Sequence, residues 1–121
     1  MDDLIEATCA RIDAAGFHPQ RSPLAHRLVM MVASAQGILE AGGYEALFSV
    51  PFDPPVALEE FPPLYDALGA APAAALFREA IALSRTPEPD FNALDRAQWD
   101  GSDDVLDLLE AWIGRHGAEL P

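Results

Sequence analysis

The feature that most constrains this chain is the Gly42-Gly43 pair, because it interrupts the longest apolar helical pattern in the sequence. Leu24, Leu28, Met31, Ala35, Ile38 and Leu39 recur at the three- and four-residue spacing that puts side chains on one side of an α-helix. Val29, Met30 and Val32 widen that stripe, so the segment reads as a central helix covered on several sides. Glycine has no Cβ and reaches left-handed backbone conformations that end a helix. Tyr44, Leu47 and Phe48 then follow at once as a new group of core side chains. The pattern predicts a hinge between two helices built from Gly42, Gly43, Tyr44, Leu47 and Phe48, with one or two further turns over 44–49.

The other boundaries are set by proline and glycine. Residues 2–15 place Leu4, Ile5, Thr8, Cys9 and Ile12 at helical spacing, with Asp2, Asp3 and Glu6 where the helix dipole favours negative charge, and Gly16 as a stop. A loop follows, and Ser22-Pro23 reads as an N-cap with a first-turn proline. Three prolines between Val50 and Val56 remove backbone donors and fix φ, which predicts an extended excursion and then a short turn over 57–61. Pro62-Pro63 opens a helix carrying Leu64, Tyr65 and Leu68 with Gly69 past its end, and Pro72 opens another carrying Leu76, Phe77, Ala80, Ile81 and Leu83. Thr86 to Asp90 reads as a loop. Phe91, Leu94 and Trp99 indicate a short helix over 91–99. Ser102 then reads as the cap of a last helix over 103–116, with Asp103 and Asp104 in its first turn. No stretch alternates with period two. The expected fold is all-α, a compact single-domain bundle over residues 1–121 with about six to seven helices and no significant sheet.

Chemical signatures are sparse. The chain has no nucleophile elbow, phosphate-binding glycine loop, C-x-x-C or H-E-x-x-H. His18, His26 and His116 are too scattered to share a helical turn, so no metal site is expected. The single Cys9 cannot form an internal disulfide and lies among apolar positions near carboxylates, which raise a thiol's pKa. The N-terminus lacks the pattern of a signal peptide and no apolar run reaches the length of a membrane span, so the expectation is a cytoplasmic protein without cofactors. Against 20 carboxylates stand 7 basic residues, all arginine, for a net charge of −13. Such a balance repels nucleic acid and anionic membrane and favours basic partners. An acidic or halophilic proteome would produce the same balance, so the charge alone names no partner.

The acids concentrate near the end of the chain. Glu88, Asp90, Asp95, Asp100, Asp103, Asp104, Asp107 and Glu110 share their segment with one base, Arg96. Val105, Leu106, Leu109, Trp112 and Ile113 occupy one helical face, and at 100° per residue Asp103, Asp107 and Glu110 fall on the opposite one. Asp100, Asp103, Asp104, Asp107 and Glu110 are the candidate partner-binding residues. Successive members of the stripe lie about 4.5–6 Å apart along the axis, similar in scale to the roughly 3.4 Å rise per phosphate of a DNA strand.

The order of a long helix ending in Gly42-Gly43-Tyr44, then Leu47-Phe48, resembles the bacterial DNA-mimic protein family, small acidic helical proteins that are mostly uncharacterised. Leu64-Tyr65-Asp66-Ala67-Leu68-Gly69-Ala70, Ala75-Leu76-Phe77-Arg78-Glu79-Ala80 and the closing segment from Leu94 to Asp107 resemble its later helices in the same order, so the likeness spans about residues 25–116. Relatives often carry Asn before the glycine pair, where this chain has Ala41, and the segment from Pro51 to Pro63 is richer in proline than the family's. The resemblance implies an all-α fold, no catalysis, binding to the DNA-binding surface of a transcription factor, and leaves homodimerisation open.

The leading expectation is therefore a non-enzymatic acidic protein that binds a basic, DNA-binding protein, with no direct contact to nucleic acid or membrane. Two alternatives stand beside it. One is a small enzyme or ligand-binding domain with a pocket lined by Tyr44, Phe48, Tyr65 and Trp99 near carboxylates. The other is an immunity or antitoxin-like partner of a basic toxin.

Overall fold

The structure is a computed structural model and describes residues 3–121. Five α-helices follow one another: α1 (Asp3–Ala14), α2 (Leu24–Phe48), α3 (Phe61–Leu68), α4 (Ala71–Ser84) and α5 (Asn92–Arg115). Short 3-10 turns span Leu58–Glu60 and Gly117–Glu119, and there is no strand among the described residues. Asp2, expected to open the first helix, lies outside those residues. The all-α expectation holds, but six to seven helices become five.

The main correction is at the end of the chain. The short helix expected over 91–99 and the last helix expected over 103–116 are one continuous helix, α5. Ser102 was expected to cap a separate last helix. Instead Ser102 is buried in mid-helix, and Asp103 and Asp104 lie far from the first turn. Gln98, Ser102, Val105, Leu109 and Trp112 are all buried, so an uninterrupted four-three-four-three stripe faces the core through the suspected break. A glycine inside a helix costs about 1 kcal/mol, less than this stripe gains by burying its two large side chains, at about 1.5–3 kcal/mol each for residues of the Leu type.

Elsewhere local chemistry sets the ends much as the pattern predicts. Gly16 (φ 90°) and Gly69 (φ 93°) adopt left-handed conformations after α1 and α3. Pro62 and Pro72 sit in the first turns of α3 and α4, where a missing N–H costs nothing. Ser22 differs from expectation. Its hydroxyl oxygen accepts the His18 N–H at 2.8 Å, and Pro23 rather than Ser22 immediately precedes α2. The proline excursion is tied down by Gln20, whose Nε2 donates to the Pro55 carbonyl at 2.9 Å, and by Phe52, which packs on Phe61 with ring centroids 5.9 Å apart.

Helix α2 is central and packs against α1, α3 and α5, while α4 packs on α3 and α5. Its buried side chains include Leu28, Val29, Met31, Val32, Ala35 and Leu39, most of the stripe expected of it. The hinge is real but sharper than a helix end. Helical hydrogen bonding resumes directly after Gly43, whose φ of 72° and ψ of −166° lie in a region that is essentially glycine-only. The turn redirects Tyr44 and Leu47 into the core, where both are at most 1 % exposed, and half-buries Phe48. The Tyr44 ring lies 5.8 Å from Phe48, 5.8 Å from Phe77 in an edge-on arrangement and 6.3 Å from Phe91. One aromatic group thus joins the hinge to α4 and to the start of α5.

Candidate functional site

Two features stand out on α5, one on each flank of its buried stripe. The outward flank carries the acids. Asp100, Asp103, Asp104, Asp107 and Glu110 are all exposed. The ion pairs among the described residues join Arg78 to Asp66, Arg85 to Glu59 and His116 to Glu119, so none of them neutralises Asp100, Asp103, Asp104 or Asp107. These four aspartates instead crowd one another at i,i+3 and i,i+4 spacing: 100 with 103 and 104, and 107 with 103 and 104. Like-charge neighbours at that spacing cost about 0.2–0.5 kcal/mol each, so the face lowers stability by roughly 1–2 kcal/mol at low salt. Trp99 lies at its edge, 62 % exposed, one helical turn before Asp103. The sequence had placed Trp99 among helix-packing and pocket-lining aromatics, and the structure turns it to solvent.

The other flank faces a cavity of about 280 Å³ among α2, α3, α4 and α5. Tyr44 and Tyr65 line it, together with Leu39, Leu76, Phe77, Val105 and Leu108. Phe48 and Trp99 do not, so two of the four aromatics expected around a pocket near carboxylates are there, and among the described residues Asp104 is the one carboxylate in the lining. No arginine or histidine lines it. Among the described residues no group of three or more His, Cys, Asp or Glu side chains is placed to hold a metal ion.

A polar seam runs along the cavity wall and is absent from the sequence reading. The Tyr65 hydroxyl donates to Gln36 Oε1 at 2.6 Å, Gln36 Nε2 donates to Ser102 Oγ at 3.4 Å, and the Ser102 hydroxyl donates to Glu40 Oε1 at 2.8 Å. The seam fastens α3 to α2 and α2 to α5, and satisfies groups whose unpaired burial would cost about 1–3 kcal/mol each. Gln98 is the exception. It is 7 % exposed and lines the cavity, yet its buried Nε2 has no hydrogen-bond partner. A signal was available in the sequence, since Gln36 and Gln98 both interrupt apolar stripes at core-facing positions.

The hinge and α5 meet through a further residue that the sequence reading had placed only in the acidic segment. Asp95 Oδ1 accepts the Tyr44 N–H at 2.9 Å, a donor that the break at Gly43 frees from helical pairing. A Cβ at Gly43 would lie 2.7 Å from the Asp95 carboxylate, so the glycine is required by space as well as by φ. Burial pushes the Tyr44 hydroxyl pKa up, with the carboxylates of Asp95 and Glu79 adding to it. Burial also raises Tyr65, with a smaller contribution from Tyr44. Burial raises the Cys9 thiol, and Glu6 adds to the effect, which leaves it a poor nucleophile at neutral pH.

The fold and these surfaces define a small all-helical protein with an acidic helix face backed by a core cavity. The chain matches no protein-family model, no curated protein and no solved structure. Among the described residues no helix is long and apolar enough to cross a membrane.

Proposed function

We propose that this chain is a non-enzymatic acidic binding protein whose α5 face docks on the DNA-binding surface of a basic protein. The observation that carries the reading is the row of exposed carboxylates on α5, four of them without a cation, kept despite their mutual repulsion. Local conflicts of this kind are expected where a surface serves binding rather than folding. Asp100 to Glu110 spans about 15 Å of helix axis. Five carboxylates over that length give one charge per ~4 Å, close to the ~3.4 Å per phosphate of one DNA strand. Trp99 supplies a large apolar anchor beside the charges, and an arginine of the partner can stack on its indole while pairing with Asp103.

Capture from a lysate of the source cell tests this reading. The expected result is recovery of a DNA-binding protein that duplex DNA displaces and that is released as salt rises, because exposed opposite charges are screened. Changing Asp100, Asp103, Asp104 and Asp107 to Asn should abolish capture without unfolding the protein. Recovery of only neutral or acidic partners, or unchanged capture by that variant, would sink the proposal. A basic toxin that DNA does not displace would instead favour an immunity-type role, which uses the same electrostatics.

A further inference from the structure

We infer that the cavity between α5 and the α2–α4 wall is a binding site for a small, uncharged, mostly apolar ring compound carrying one hydrogen-bond acceptor, which Gln98 recognises. This inference shares only Asp104 with the acidic face and does not depend on that face binding a partner. The cavity's size sets the scale of the ligand. A dry apolar cavity of ~150 Å³ accepts benzene, so about 280 Å³ takes a two-ring molecule with room to spare. Its walls set the class: Leu39, Phe77, Val105 and Leu108 offer apolar surface, and Tyr44 and Tyr65 offer ring faces. Anions are disfavoured, since Asp104 is in the lining and no cationic side chain is.

Gln98 sets the polar requirement. Every other buried side-chain polar atom of the described residues finds a partner, whereas Gln98, one of the residues lining the cavity, carries an Nε2 that is covered and unpaired. A buried donor left unmade is costly, and the seam's acceptors serve other donors, Gln36 Oε1 the Tyr65 hydroxyl and Glu40 Oε1 the Ser102 hydroxyl, with none of them bonded to Gln98 Nε2. Nothing holds the Gln98 amide by its nitrogen, and the last torsion of a glutamine is soft. An acceptor entering the cavity, such as a ketone oxygen, supplies the missing partner once that torsion turns the amide nitrogen toward it. The rest of such a molecule replaces solvent against the apolar walls.

The probes are 1-tetralone, the hydrocarbon tetralin of nearly the same shape, and the anion 1-naphthoate. Binding is read by NMR from the side-chain amide of Gln98 and from resonances of the lining residues. We expect millimolar 1-tetralone to shift the Gln98 amide and to bind about three- to tenfold more tightly than tetralin, the ratio one net hydrogen bond supports. Naphthoate should not compete. Gln98→Leu should remove the preference for the ketone while tetralin still binds. Gly101 lines the cavity, and a Cβ there meets nothing within 4 Å, so Gly101→Leu should keep the helix and close the site to both neutral probes. The inference is overturned if 1-tetralone leaves the Gln98 amide unmoved, as for a cavity that takes up only water. Equal affinities for tetralone and tetralin, or full binding by Gly101→Leu, would overturn it as well. None of these outcomes bears on partner capture by the acidic face.

Discussion

Replacing Gly43 by alanine tests the central joint of the molecule. Two costs are added. Holding a Cβ-bearing residue at φ 72° and ψ −166° costs about 1–3 kcal/mol. The new Cβ also meets the Asp95 carboxylate at 2.7 Å, so Asp95 must retreat and its hydrogen bond to the Tyr44 N–H is lost. Bonds to a charged acceptor contribute about 1.5–3 kcal/mol. Against this, alanine reduces the unfolded chain's entropy by about 0.4–1 kcal/mol. The net loss is about 2–5 kcal/mol, from a total of roughly 6–18 kcal/mol for a chain of 121 residues. With an m value of about 1–3 kcal/mol/M, a loss of 3 kcal/mol lowers the urea midpoint by about 1 M or more. The diagnostic measurement is the double-mutant cycle with Asp95→Ala. Once the carboxylate is gone, Gly43→Ala retains only the dihedral cost, so the two changes should fall short of additivity by about 1.5 kcal/mol or more. Additivity within about 0.5 kcal/mol, or a loss below that size for Gly43→Ala alone, would refute the joint described here.

Three other outcomes are expected. Both buried tyrosines have hydroxyl pKa values raised above the ordinary 10.0, so above pH 10 the unfolded chain releases protons that the folded protein keeps. Stability is therefore full below pH 10 and falls as pH rises further, by at most about 1.4 kcal/mol per pH unit for each tyrosine; Tyr65→Phe should make that decline shallower in alkaline urea titrations. Asp103→Asn removes one repulsive neighbour at i+4 and one at i−3, and should raise stability by about 0.4–1 kcal/mol at low salt, with the gain shrinking as salt is added. A thermal scan would show it. Gly101→Ala should raise the melting temperature, gaining up to about 1 kcal/mol of helix propensity, because its Cβ enters open space.

The architecture was legible wherever local chemistry decides. Gly16, Gly69, Pro62 and Pro72 mark helix ends through their own φ preferences, and the stripe of α2 shows which face is buried before any partner is known. Even the hinge at Gly42-Gly43 is a local matter, since the apolar pattern must break there and resume. The outward position of Asp100, Asp103, Asp104, Asp107 and Glu110 follows from helical periodicity in the same way. What failed was the expectation that a short helix stops near residue 99 and that Ser102 caps another, because capping propensity is weak beside a continuous buried stripe on either side of it.

The remainder belongs to tertiary structure, because it joins residues far apart in the chain. Asp95 accepts the Tyr44 N–H across 51 positions, and Ser102 reaches Glu40 across 62, pairings that no local pattern encodes. The sequence by itself determined an acidic all-helical chain with a glycine hinge after its central helix. Only the packing of α5 against that helix decided that the glycine must accommodate a carboxylate, that Ser102 is a core hydroxyl and that Trp99 faces water. The same packing left the Gln98 amide unpaired beside a cavity, since a void is a property of several surfaces that fail to meet and of no single segment.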